Sequence, residues 1–300
     1  MTRNRAHGLL LLTSLIWGFA FVLQVSGMDH IHPFALNVHR NFIAGTFLLG
    51  LLFFVPAFRR PGADKKRTIL GGIACGLFLA VAMALQQYGL MSTTAGKGGF
   101  ITALYIVLVP VGGIVLKKTV TKKTWIAVAL AALGLYFISV KNAGAFSMEA
   151  GDFLVFLSAI CFAAHILLID FLAPVIDGVL MSCIQFFVAG IGSFLLLCLS
   201  GGSLYGDFGA ALPAILYLGF LSSGVGFTLQ IVAQKYTEPT TASLILSLES
   251  LFALLGGVLF LSERMSARET LGSILLFIAI VLAQMPTDGF RRKGAKKSRF

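Results

Sequence analysis

The residue in this chain that most invites chemistry is Glu249, near the middle of PTTASLILSLESLFALLGGVLFLSER, from Pro239 to Arg264. Between Thr240 and Leu261 lie about 22 mostly apolar residues, enough to cross a bilayer core of roughly 30 Å at 1.5 Å per residue. Glu249 is the one carboxylate of the sequence set deep inside a hydrophobic span. A charge at that depth costs about 2.5–3.5 kcal/mol on insertion scales, so an intramembrane acid marks a ligand or proton path unless a neighbour ties it down in a packing helix. Ser243, Ser247 and Ser250 recur at i+4 and i+3 around it. They give a small, polar flank that admits another helix or a substrate.

Other polar side chains sit within apolar runs. Trp17, Phe21 and Gln24 share one helical face; a Trp away from the interfacial belt either stacks on a ligand or packs. Arg40 can snorkel to the outer end of its span, bind an anionic group, or pair with Glu249. His165 is either a satisfied structural residue or a proton relay or substrate contact. In TTAGKGGFITALYIVLVP, Gly98, Gly99 and Thr102 permit close helix approach, Tyr105 follows, and Pro110 is expected to kink the helix. Gln86 and Gln230 are expected near opposite membrane faces, as a pair of gates or as interhelical hydrogen bonds.

Enzymatic and metal chemistry find no footing. Cys75, Cys161, Cys183 and Cys198 lie inside apolar spans without CxxC or His/Cys ligand spacing and read as small core residues. Lys97 after Gly96 fails as a phosphate loop, because Gly98 follows where Ser or Thr is needed. HExxH, GxSxG and paired aspartates within a span are absent from the sequence. No enzyme, ATP-driven pump, metal or cofactor is expected.

The elements that must position these residues are membrane helices. Of 300 residues 58% are hydrophobic and 12% charged, with mean hydropathy +0.93, against about 25% charged in soluble domains. Ten spans are expected, at roughly 8–27, 34–55, 69–90, 98–116, 124–140, 153–169, 179–199, 211–234, 240–261 and 270–285, joined by short loops with no aqueous domain. The first span is too long for a signal-peptide core and is expected to stay. The net charge of +11 resides in the short loops, so the bilayer explains it and nucleic acid does not. With the N-terminus inside, every Lys and Arg except Lys97, Lys141, Arg264, Arg268 and Arg40 falls on cytoplasmic segments, which puts both termini in the cytoplasm. The tail RRKGAKKSRF reads as a topology anchor touching anionic lipid, or as a regulatory element.

A shift of 144 positions superimposes Ser14, Ile16 and Ala20 on Ser158, Ile160 and Ala164, Phe21 on His165, Gln86 on Gln230, and Tyr105 on Glu249. With one more residue, FIAG at Phe42–Gly45 meets FVAG at Phe187–Gly190. Two repeats, residues 1–144 and 145–300, each hold five spans. An odd number forces the second to enter from the opposite face, giving an inverted repeat with a site near the midplane; a duplication that only builds a stable bundle is the alternative. The expected function is a secondary transporter with its cavity between the repeats. Glu249 would be the proton or amine site, Trp17 and Tyr105 aromatic contacts, and Ser247, Ser250 and Thr102 hydrogen-bonding groups. A passive channel or facilitator, or a non-transporting membrane interaction subunit, are the competing readings, and a homodimer is compatible with each.

SLIWGFAFV, Arg40 in ALNVHRNFIAG, the run TTAGKGGFITALYIVLVP and LSLESLFALLGGVLFLSERMS together resemble the EamA-like branch of the drug/metabolite transporter superfamily. The resemblance covers nearly the whole chain. It implies a ten-helix, all-α secondary transporter of a bacterial inner membrane, usually an exporter of amino acids or related metabolites and often proton-linked. Trp17, Arg40, Tyr105 and Glu249 stand at positions matching family motifs. The family's common Glu-Pro in the ninth span is Glu249-Ser250 here.

Overall fold

The computed structural model describes residues 1–117, 120–139, 150–260 and 266–284. Secondary structure in the described residues is entirely helical: α1 Arg3–Met28, α2 Pro33–Phe54, α3 Lys65–Gly89, α4 Ala95–Ala103, α5 Tyr105–Val115, α6 Lys122–Ser139, α7 Ala150–Leu172, α8 Gly178–Leu199 and α9 Phe208–Leu216. A π-helix, Tyr217–Phe227, runs on into α10 Thr228–Gln234, followed by α11 Pro239–Leu246, α12 Glu249–Phe260 and α13 Ala267–Gln284. Eight helical runs in these residues are long and apolar enough to cross a bilayer, and the chain is an integral membrane protein. Of the ten expected spans, the fifth and tenth are not among those eight; they correspond to α6 and α13, 18 residues each, which pack side by side. Lys118, Lys141, Arg264, the basic tail and the expected span ends at Val140, Leu261 and Met285 lie outside the described residues.

Polar side chains begin the helices where apolar runs start. Thr2, Asp64, Thr94, Asp177 and Asp207 each accept a backbone N–H of the first turn that follows, satisfying donors no intrahelical carbonyl can reach. The connections sort onto two ends. At the N-terminal end, a His7 Nε2–Thr237 Oγ1 bond measures 3.1 Å, Asp64 N donates to Val175 O, and Arg60 N donates to Asp177 Oδ2 at 2.8 Å. At the opposite end, Asp207 N donates to His30 O, His39 Nε2 lies 3.1 Å from Leu204 O, and Lys97 Nζ reaches Asp152 Oδ2 at 2.6 Å.

Without a hydrophobic force between helices in lipid, close approach depends on small residues. On α3, a Cβ at Gly72 or Gly76 would stand 2.7 Å from Ile184 Cβ or 2.6 Å from Val188 Cβ. On α8, one at Gly192 would stand 2.8 Å from Ala80 Cβ. Positions 72, 76 and 80 thus mesh with 184, 188 and 192 in ascending order, so α3 and α8 run parallel. The repeated FIAG and FVAG segments contact each other reciprocally. A Cβ at Gly45 would meet the Phe187 ring at 3.1 Å and one at Gly190 the Phe42 ring at 3.2 Å, with the two rings 6.2 Å apart. Because 45 meets 187 and 42 meets 190, α2 and α8 run antiparallel. That is the contact a two-fold axis requires of equivalent residues, each touching the other's partner in turn.

The glycine seam yields a stability test. Gly76→Val would push carbon to within 2.7 Å of the Gln185 backbone oxygen, which cannot rotate away. Overpacking of this kind costs about 1–3 kcal/mol, so we expect a clear drop in the thermal unfolding midpoint in detergent. Gly8→Ala, where a Cβ meets nothing within 4 Å, is expected to leave the midpoint unchanged.

Candidate functional site

Two spans are broken at equivalent places. The fourth stops at Ala103 and resumes at Tyr105; the ninth stops at Leu246 and resumes at Glu249. In the ninth, the serines explain the break. Ser243 Oγ donates to Thr240 O, Ser247 Oγ to Leu244 O and Ser250 Oγ to Ser247 O, each three residues back. Such back-bonding competes with the helical ladder and bends it. The backbone tightens accordingly, with Leu248 N bonded to Ile245 O and Ser250 N to Ser247 O. The break therefore forms without a proline after Glu249. In the fourth span Leu104 N likewise bonds to Ile101 O and Val107 N to Leu104 O, while Pro110 lies inside α5 and has no N–H for the ladder.

The breaks present Tyr105 and Glu249 as the opening residues of α5 and α12, and Tyr105 Oη donates to Glu249 Oε1 at 2.9 Å. Both side chains are 2% exposed. These two residues are 144 positions apart, so the bond joins a residue to its own repeat equivalent. Gly18 lets α1 lie against this corner: a Cβ there would stand 2.8 Å from Glu249 O and 2.9 Å from Ala253 N.

Around the pair is a cavity of about 40 Å³, walled by both halves of the chain. Glu249, Trp17, Tyr105, Arg40, His165, Thr102, Gln86 and Gln230 all line it, joined by Phe21, Gln24, Ser222 and Phe227. Three repeat-equivalent pairs, Tyr105/Glu249, Phe21/His165 and Gln86/Gln230, therefore face one space. Ser247 and Ser250 are buried but do not line it; their hydroxyls are spent on their own helix. Gln86 and Gln230, expected near opposite faces, share this central cavity instead, and Gln86 Nε2 donates to Thr102 Oγ1 at 3.0 Å.

Arg40 neither snorkels outward nor pairs with Glu249. It is 3% exposed and donates Nε to Ser223 Oγ, Nη1 to Gln24 Oε1 and Nη2 to Ser222 Oγ, at 3.0–3.1 Å. The ion pairs Arg67–Asp64 and Lys97–Asp152 do not involve Arg40. A buried guanidinium held by neutral oxygens keeps its field for an incoming anion.

The serines holding it belong to the π-helix, which sequence reasoning expected to be an ordinary helix. Gly219, Gly224 and Gly226 lower helical propensity there, and widened turns free carbonyls. Side chains of α1 take two of them: Trp17 Nε1 donates to Ser222 O at 3.0 Å and Thr13 Oγ1 to Gly226 O at 3.3 Å. Trp17 is thereby fixed with its ring 4.4 Å from that of Phe227. His165 Nε2 lies 3.1 Å from Gln185 Oε1, so it is both hydrogen-bonded and cavity-facing. Ser222, Ser223 and Gln185 were not picked out from the sequence; the polar, glycine-broken run LSSGVG inside an apolar span is the signal that points to the first two.

A chain of membrane-spanning helices with broken spans around a shared central cavity has the build of a membrane transporter. The model of the EamA-like transporter family matches residues 4–140 and again 149–285, and the chain belongs to that family. A protein of Archaeoglobus fulgidus named an uncharacterized transporter is 31% identical over 277 residues, 92% of this chain and 84% of that protein. Another from the same organism, named likewise, is 26% identical over 267 residues, 88% of this chain and 94% of its own length. A solved crystal structure shares the fold with a TM-score of 0.76 at 16% identity, covering 94% of this chain and 97% of that one.

The Tyr105–Glu249 bond is open to a double-mutant cycle. Tyr105→Phe leaves a buried acid short of a donor and Glu249→Gln changes the acceptor, so their destabilisations are expected to be non-additive by about 1–2 kcal/mol. Unfolding midpoints of the two single variants and the double variant measure it.

Proposed function

We propose that this protein is a secondary active transporter that exports amino acids or related small zwitterionic metabolites across the inner membrane by alternating access, coupled to protons. The observation that carries the reading is a guanidinium and a carboxyl group facing one cavity without touching: Arg40, held by neutral oxygens, and Glu249, held by a phenol. A solute with an ammonium and a carboxylate meets both needs at once. The amine docks at Glu249, the carboxylate at the Arg40 guanidinium, and the side chain lies among Trp17, Phe21 and Phe227.

A cavity of about 40 Å³ has room for water and not for a metabolite, whose sites run to about 300–1,000 Å³. Loading a metabolite therefore requires the two halves to separate. Ten spans in two inverted five-helix repeats fit this mechanism, with α6 and α13 as fifth and tenth spans. Discontinuous helices that restart at a midplane site are a recurring device of such carriers. The clustering of Arg59, Arg60 and Lys235 around one cleft at the N-terminal end favours that end as cytoplasmic. Glu249 exchanges its proton for the substrate amine, so outward flux of one follows inward flux of the other.

The test is a panel of amino acids and metabolites in proteoliposomes, with and without a pH gradient. We expect gradient-driven flux of at least one zwitterion, abolished by Glu249→Gln in protein that still inserts and folds. Arg40→Gln is expected to raise KM for the zwitterion more than for its decarboxylated amine. Unchanged pH-driven flux in Glu249→Gln would remove the acid from the coupling step.

A further inference from the structure

Two further spaces lie outside the central cavity. The first is a groove of about 540 Å³, walled on one side by the stretch from Phe42 to Val55 and on the other by Phe220 of the π-helix; apart from Thr46 its lining is apolar. From Phe42 to Val55 the chain advances about 20 Å, enough to cross one leaflet of hydrocarbon, about 15 Å. Phe54 and Phe220 are 79% and 41% exposed, so the groove opens on the acyl chains of the bilayer. At Gly50 it is widest, since a Cβ there would meet nothing within 4 Å.

The second is the cleft at the N-terminal end, of about 410 Å³, and it continues the first. Val55 ends the groove and Ala57 begins the cleft; on the facing span Phe220 is followed along one helical run by Ile231 and Val232. Arg59, Arg60 and Lys235 line the cleft together with one carboxylate, Asp177. That acid is engaged with backbone: Oδ1 accepts the N–H of Val179 and of Leu180, and Oδ2 that of Arg60. Arg60 gives its guanidinium to the carbonyls of Ala173, Pro174 and Ile176 and so contributes charge rather than donors. Arg59 is exposed and anchored by Nε to Leu52 O at 2.8 Å, which holds its planar fork at the cleft. Lys235, also exposed, has Nζ 5.5 Å from the centre of the Tyr236 ring. Three cations against one carboxylate leave the lining with an excess of two positive charges.

We propose that groove and cleft together hold one anionic phospholipid, with its phosphate between Arg59 and Lys235 and an acyl chain laid along α2. An apolar channel of leaflet depth that ends in a cationic cleft matches an amphiphile with a negative head, and basic pockets between membrane helices take such headgroups. Arg59 offers two parallel N–H groups to phosphate oxygens and Lys235 a point charge. A free phosphate ester would satisfy the cleft and leave the groove unused. Arg59 belongs to the first repeat and Lys235 to the second, so the bound head bridges the seam between the halves. A ligand that binds the folded chain in this way stabilises it.

The test is lipid binding to the full chain, stripped of lipid in detergent and titrated with phosphatidylglycerol, with phosphatidylcholine of the same chains, and with water-soluble glycerol phosphate. Native mass spectrometry reads the bound fraction and thermal unfolding reads the stabilisation. Phosphatidylglycerol is expected to bind more tightly than phosphatidylcholine and to raise the unfolding midpoint. Arg59→Gln or Lys235→Gln alone should weaken it about fivefold and the two together about thirtyfold. Gly50→Trp fills the groove from a position with free space; it should weaken phosphatidylglycerol while the lipid-free midpoint stays where it was. Lys65→Gln/Lys66→Gln, on the same end but away from the cleft, should change neither. Equal binding of the two lipids, or phosphatidylglycerol binding that ignores Arg59→Gln/Lys235→Gln, overturns the site. Equal weakening by Lys65→Gln/Lys66→Gln also overturns it, since that is general attraction to a basic face. Glycerol phosphate binding as tightly as the lipid, with Gly50→Trp without effect, overturns the lipid in favour of a free phosphate ester. None of these outcomes depends on the flux panel, so the transport reading and the lipid site stand or fall separately.

Discussion

The contact on which the rest depends is the bond between the Tyr105 hydroxyl and the Glu249 carboxylate. A carboxylate in the interior of a membrane protein needs a donor, and here the donor is the residue that duplication placed at the same point of the other half. The bond thus ties equivalent points of the two halves together, 144 positions apart in the chain. Glu249 is in this way both an acid on the cavity wall and a point of contact between the halves.

Arg40 is the complementary problem. A buried guanidinium is costly unless its donors are satisfied, and the structure satisfies them with Gln24, Ser222 and Ser223 rather than with an acid. The π-helix is what makes this possible. Its widened turns set two successive serines toward α2 while releasing carbonyls that Trp17 and Thr13 of α1 occupy. The equivalent stretch in the first half, α3, is an unbroken α-helix. The halves thus differ where the cation is held.

Much of this was legible in the sequence, and the reasons are physical. Apolar runs of about 20 residues have one stable form in lipid, the helix, so the eight long spans lie within a few residues of expectation. That Tyr105 and Glu249 are repeat equivalents was legible from the shared offset, but not that their side chains bond, since Phe21/His165 and Gln86/Gln230 share the same offset. Arg40 was open between three fates, since a sequence does not say which way an arginine turns. The serines flanking Glu249 were legible as polar and small but not as self-bonded; residues three apart on a helix face serve a ligand or their own backbone equally well. The π-helix was invisible, because its hydrogen bonds shift by one residue without changing the apolar period enough to notice. The Lys97–Asp152 pair was missed for a simpler reason, that 55 residues separate its members.

The most direct test of the central claim uses the protein's own fluorophore. The sequence has two tryptophans, and Trp125→Phe leaves Trp17, on the cavity wall, as sole reporter. Titrated with an amino acid, its decarboxylated amine and its deaminated acid, the account predicts saturable change in Trp17 emission with strongest binding for the zwitterion. Arg40→Gln should erase the advantage over the amine, and Glu249→Gln the advantage over the acid. Equal binding of the three compounds, or a zwitterion titration that neither substitution moves, would contradict it.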